Sequence, residues 1–281
     1  MIIKVFGNLN KKYVDNAVKK AGKLIPVPKD LTIYFLESLN FCSFINLPRS
    51  IQNKVRQRCR TKISFSFIFK KRKIVVIHLE KNLEKNQDSL VGLLLHEIAH
   101  INQMEKGVYD KIYNDYYKVS QKNLTKIKKL KYNKKDLVNL FHSISITSVS
   151  ALKDIYANNY LIEKGLVNHL LSYYKLEFNK KVCPRPFFYK NIKETAKKDM
   201  SVVKDVVDFQ LAILSATLPV YRTRKAKELV KFIESCYQIN IQEVSKRMHE
   251  LVDLYFKYFK NKNFNRMFFD CVFYEVCKLL K

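Results

Sequence analysis

Residues 96–100 read His96-Glu97-Ile98-Ala99-His100, residue types that at this spacing can run metal-assisted hydrolysis. Two histidines at i and i+4 project from the same side of an α-helix, so both rings can bind one ion. Glu97 borders that face and can take a proton from a metal-bound water. Zinc lowers the pKa of such a water to about 7, and a neighbouring carboxylate completes its activation. Leu93-Leu94-Leu95 before the pentapeptide and Ile101 after it bury the helix, for which Gln87-Asp88-Ser89 offers an N-cap. Two histidines and a glutamate on a buried helix are costly unless something satisfies them, and a metal does.

A catalytic zinc takes three protein ligands and leaves one position for water. The third candidate is Asp154, inside a helix expected over 136–165 with Gly165 at its C′ position and Asp136 as its N-cap. Asn158 follows Asp154 at i+4 on the same face, where it can accept from the Nδ1–H of a ligand histidine. Ser150, Ala151 and Ala157 are small and allow close packing on the motif helix. Rivals for the third ligand are Asp110 and Asp115, and Glu163, which reads as solvent-facing. His142, His169 and His249 read as core histidines. Tyr156 and Tyr160 lie on the ligand helix and are candidate donors to a developing oxyanion.

The elements that must position these residues read as follows. Ile2 to Phe6 is a short strand and Lys11 to Leu24 an amphipathic helix. Leu31 to Leu36 is β-rich. Ile63-Ser64-Phe65-Ser66-Phe67 alternates as a half-buried strand, and Lys70 to Lys73 turns it into a second strand, Ile74 to Leu79. That second strand, with His78 as an ordinary member, is taken as the sheet edge able to pair with an extended substrate. After Lys106-Gly107 a polar, Lys- and Tyr-rich connection is expected up to Lys135. Cys183-Pro184-Arg185-Pro186 is a break, and several amphipathic helices follow, interrupted near Leu218-Pro219 and around Tyr237 to Ile241.

Taken together, HExxH followed by a helix with Asp154-x-x-x-Asn158 resembles the gluzincin zinc peptidases, particularly the HtpX-like membrane peptidases and the soluble archaeal minigluzincins. Their second helix carries Glu-x-x-x-Asp, so this chain departs in residue type at both positions. The metzincin form, with a Gly and a third His soon after the second His, does not fit Ile101-Asn102-Gln103-Met104-Glu105-Lys106. The resemblance covers about residues 60 to 165. It implies an α+β fold: a zincin-like core of a small, mostly antiparallel sheet with an active-site helix and a ligand helix, then a mainly helical C-terminal part. It also implies Zn(2+) held by His96, His100 and Asp154, Glu97 as the base, Asn158 orienting a ligand, and a peptide or protein substrate. The expected division is a catalytic domain at 1–182, with its sheet and motif helix within 60–105, and a helical extension at 183–281.

At 47% hydrophobic residues over 281 positions the chain is globular. No apolar run reaches the roughly 18 to 20 residues of a membrane span, and the N-terminus does not read as a signal peptide, so a cytoplasmic location is expected. The six cysteines have no CxxC spacing, which argues against a second, structural zinc site and favours reduced thiols. The formal net charge of +28 predicts attraction to polyanions such as nucleic acid or an anionic surface. Its lysines are scattered, as on a solvated surface. The sequence therefore supports a zinc metallopeptidase first, with a non-catalytic zinc-bound scaffold and a basic nucleic-acid-associated protein as alternatives.

Overall fold

A computed structural model of the chain describes residues 1–60, 63–79, 86–127, 130, 132–179, 194–195, 199–237 and 249–280. The fold is α+β. Four strands, β1 (Ile2–Phe6), β2 (Leu31–Leu36), β3 (Ser64–Phe69) and β4 (Arg72–His78), form one sheet in the order β1-β2-β4-β3. β1 pairs parallel with β2, β2 parallel with β4, and only β3 runs antiparallel, beside β4. The expected mostly antiparallel sheet is thus corrected to a mixed one. The reason is connection length. Helix α1 (Lys11–Leu24) carries the chain back between β1 and β2. A 3-10 helix (Leu39–Phe44), α2 (Arg49–Cys59) and β3 do the same between β2 and β4. Only the Lys70-Lys71 turn is short enough for a hairpin.

That topology also moves the sheet edge. β4, expected at the edge, lies between β2 and β3, and the edge beside it is β3. The two-residue turn holds Lys70 at φ 47° and Lys71 at φ 66°. Left-handed backbone at both positions suits the twist of a tight hairpin, and two lysines accept there a strain that Asn-Gly would avoid.

The chain forms two compact units, one of residues 1–106 with 157–180, the other of 107–156 with 181–281. The boundary expected at 182/183 and the break at Cys183 to Pro186 lie outside the described residues. In the first unit the sheet is covered on both faces, which is why β2 and β4 read as almost continuous apolar runs. Tyr34, Leu36, Phe65, Ile74 and Val76 pack with Cys42 of the 3-10 helix, Ile45 just after it, and Val55 and Cys59 of α2. α1 and α3 (Gln87–Glu105) take the other face, and α6 (Val167–Asn179) packs against α3. The N-cap of α3 is Asn86 rather than 87–89; its Oδ1 accepts from the Ser89 amide at 3.1 Å.

In the second unit, 108–127 is a helix, α4 (Val108–Ile127), where a polar connection was expected. Tyr109, Ile112, Asp115, Val119 and Asn123 are its buried stripe, a helical spacing that interleaved Lys and Tyr obscure in the sequence. α5 (Lys134–Glu163) starts at Asn133, whose Oδ1 accepts from the Lys135 amide at 2.9 Å, so Asp136 is not the cap. It ends as Gly165, at φ 74°, brings the Leu166 amide to the Leu161 carbonyl at 3.0 Å. α5 is one unbroken helix and contributes to both units. Among the described residues the second unit also holds α7 (Ser201–Val220), α8 (Ala226–Tyr237), α9 (His249–Tyr258) and α10 (Phe264–Leu280). Most of the expected interruption at 237–241 lies outside the described residues. Cys42, Cys59, Cys236 and Cys271 are free thiols. Among the described residues no helix is long and apolar enough to cross a membrane.

Gly92 lets α6 lie directly on α3. A Cβ at this position would stand 2.0 Å from the His169 carbonyl oxygen and 3.1 Å from Tyr173 Cβ. Backbone cannot yield as a side chain can, so Gly92→Ala must push α6 away. Overpacking of this kind costs about 1–3 kcal/mol or more. Gly92→Ala is therefore expected to lower the unfolding free energy by that margin, read as a lower urea midpoint with the m-value unchanged.

Candidate metal centre

α3 is apolar through its middle turns, yet His96, Glu97 and His100 are 4%, 4% and 7% exposed. His96 and His100, one turn apart, turn their rings edge-on, with centroids 4.4 Å apart and planes at 85°. Their Nε2 atoms are 2.9 Å from each other. Two nitrogen ligands of one tetrahedral zinc, at bonds of 2.0–2.1 Å, stand about 3.3 Å apart, so the pair needs to open by only a few tenths of an ångström.

The other nitrogen of His96 is fixed by a buried relay. His96 Nδ1 lies 3.1 Å from Asn158 Oδ1, and Asn158 Nδ2 donates to the Tyr174 hydroxyl oxygen at 2.5 Å. Because the amide nitrogen serves Tyr174, the amide oxygen faces the imidazole and Nδ1 carries the proton. This tautomer leaves the Nε2 lone pair on the side of His100. Asn158 is fully buried, so both ends of its amide need the partners they have. The Tyr173 ring lies over His96 at a centroid distance of 4.9 Å.

Asp154 stands one helical turn before Asn158 on α5. A ligand atom from each of His96, His100 and Asp154 lies within 4.8 Å of the other two. Two neutral imidazoles and one carboxylate are donors that a divalent ion of zinc's type accepts. Glu97, between the two histidines in sequence, is held differently. Its Oε1 accepts from Ser64 Oγ at 2.6 Å, while its Oε2 is buried with no hydrogen-bond partner. A buried carboxylate oxygen left bare is expensive, and Oε2 is thereby left available as an acceptor, as Gln103 Oε1 is on the same helix. The residues therefore fit a metal, and His96, His100 and Asp154 could hold one.

The remaining candidates fall elsewhere. Tyr156 donates to Asn265 Oδ1 at 2.8 Å, and burial, with the Asp115 carboxylate nearby, pushes its hydroxyl up to about 12. Tyr160 carries Lys106 Nζ above its ring, 5.5 Å from the centroid. Neither described contact brings a phenol to the histidines. Asp115 is engaged by Arg266 Nε at 2.7 Å and Asn265 Nδ2 at 3.2 Å, and Asp110 and Glu163 are exposed. His142 is exposed rather than core, on the outer face of α5 between exposed Val138 and Ile146. His169 is half-buried with Nδ1 3.9 Å from Asp88 Oδ1. Burial, aided by the Lys20 charge, holds it below the ordinary histidine range. The His249 side chain lies outside the described residues. His78 is a half-buried member of interior strand β4.

Ser64, Tyr173, Tyr174 and Gly92 were not singled out by sequence reasoning. A lone glycine inside an apolar helix was a signal for Gly92. Nothing distinguished the two tyrosines among 17. Asn158→Leu removes the acceptor that sets the His96 tautomer and is expected to weaken zinc binding about 10–100-fold, read by competition with a chromophoric chelator. No family model matches the chain, and searches of curated proteins and of solved structures find no similar protein.

Proposed function

We propose that the protein is a zinc-dependent metallopeptidase of gluzincin type. The observation that carries this is the Nε2–Nε2 approach of 2.9 Å between His96 and His100, on a helix whose intervening Glu97 keeps a buried, unpartnered Oε2. His96 and His100 would hold the ion through Nε2 and Asp154 through its carboxylate. Bound zinc would lower the pKa of its water to about 7 and polarise the scissile carbonyl. Glu97 Oε2 takes the proton of the attacking water and delivers it to the leaving amine, both within the low-dielectric interior of α3. Asn158 keeps His96 in the tautomer that offers Nε2. The outer edge of β3 is where an extended chain can add a strand. Peptide as the substrate rests on the family resemblance of the HExxH helix and the helix that follows it.

Reconstituted full-length protein is expected to hold about one equivalent of zinc, and His96→Ala or His100→Ala to hold little. Less than about half an equivalent in the wild type overturns the metal centre. Glu97→Gln should keep its zinc and lose cleavage of a mixed peptide library by about 10²–10⁴-fold. A zinc-loaded wild type that cleaves nothing would instead be a metal-bound scaffold.

A further inference from the structure

Glu97 is gripped from one side only. Ser64 Oγ donates to Oε1 at 2.6 Å, and Oε2 has no partner. Ser64 opens β3 and is itself 8% exposed, so water does not readily replace its hydroxyl. Its backbone is not free to drift. It pairs with Ile77 of β4, and the carbonyl of the preceding residue, Ile63, accepts from the His78 amide at 2.7 Å. Along β3, Phe65, Phe67 and Phe69 point into the layer of α2 and the 3-10 helix, so Ser64 and Ser66 take the face towards α3.

We propose that Ser64 is a positioning residue for Glu97, an inference that rests on the proposed role of Glu97 as proton acceptor. A glutamate on a helix has three side-chain rotations to lose before one oxygen occupies a fixed place. A short hydrogen bond from a sheet-anchored hydroxyl holds the oxygen that accepts it in one place. It removes the rotation that would exchange Oε1 and Oε2, and leaves Oε2 as the single oxygen presented for proton transfer. Orienting the acceptor before the reaction lowers the entropy lost in reaching the transition state. Any hydroxyl at this position serves, whereas a methyl does not.

Two measurements on the full-length protein test this. The first needs neither metal nor substrate: a double-mutant cycle of Ser64→Ala and Glu97→Ala in urea. Ser64→Ala is expected to lower the folding equilibrium constant about 10-fold with Glu97 present and less than about threefold in the Glu97→Ala background. Equal effects in both backgrounds overturn the contact. The second uses the zinc-loaded protein and a cleaved library peptide. Ser64→Ala is expected to lower kcat about 10–100-fold, with KM within about twofold and zinc content unchanged, and Ser64→Thr to restore it. An unchanged kcat, or a loss that Thr does not rescue, overturns the positioning role and leaves Ser64 structural. If the wild type cleaves no peptide, the proposed function fails, while the cycle in urea still decides whether Ser64 holds Glu97.

Discussion

Burying two imidazoles and a carboxylate inside one apolar helix sets the terms for the whole first unit. Leu93, Leu94, Leu95, Ile98 and Ile101 pull α3 out of water, and they take His96, Glu97 and His100 with them. Each desolvated polar atom then needs a partner or costs a kilocalorie or more. The partners come from places far apart in sequence: Ser64 on β3 for Glu97, Asn158 on α5 for His96, Tyr174 on α6 for Asn158. Of the Glu97 carboxylate, Oε2 stays unmatched, while the Nε2 atoms of His96 and His100 face each other.

Close packing makes these partnerships geometrically possible. The absence of a side chain at Gly92 lets α6 approach α3 to backbone distance, which brings Tyr173 over the His96 ring and Tyr174 to Asn158. The mixed sheet does the same on the other side. Because β3 enters as an antiparallel edge strand with its phenylalanines turned away, its serines are left facing the helix. A hydroxyl there can reach a buried carboxylate without competing for the core.

The second unit has a separate polar core. Asp115 accepts from Arg266 and Asn265, and Asn265 accepts from Tyr156 on α5, so α4, α5 and α10 are tied by charge-assisted and neutral hydrogen bonds as well as by apolar contact. Phe141 of α5 stacks on Phe273 of α10 at 5.5 Å. Tyr156 is thereby occupied as a structural donor, which accounts for its hydroxyl being drawn to Asn265.

The sequence by itself determined the local matters: that 96–100 form one helical face, that Gly165 ends a long helix, that Lys70-Lys71 turn a hairpin, and that Asp154 and Asn158 share a helix face. These depend on spacing and on φ preferences, which act over a few residues. Only the tertiary structure decided that β4 is interior and β3 the edge, that α4 is a helix, and that Ser64 and Tyr174 serve the motif. Strand order depends on how the crossovers cover the sheet. A hydrogen bond between residues 33 or 16 positions apart has no periodicity to betray it. Local rules place the groups that could do chemistry, and long-range packing selects which neighbours satisfy them.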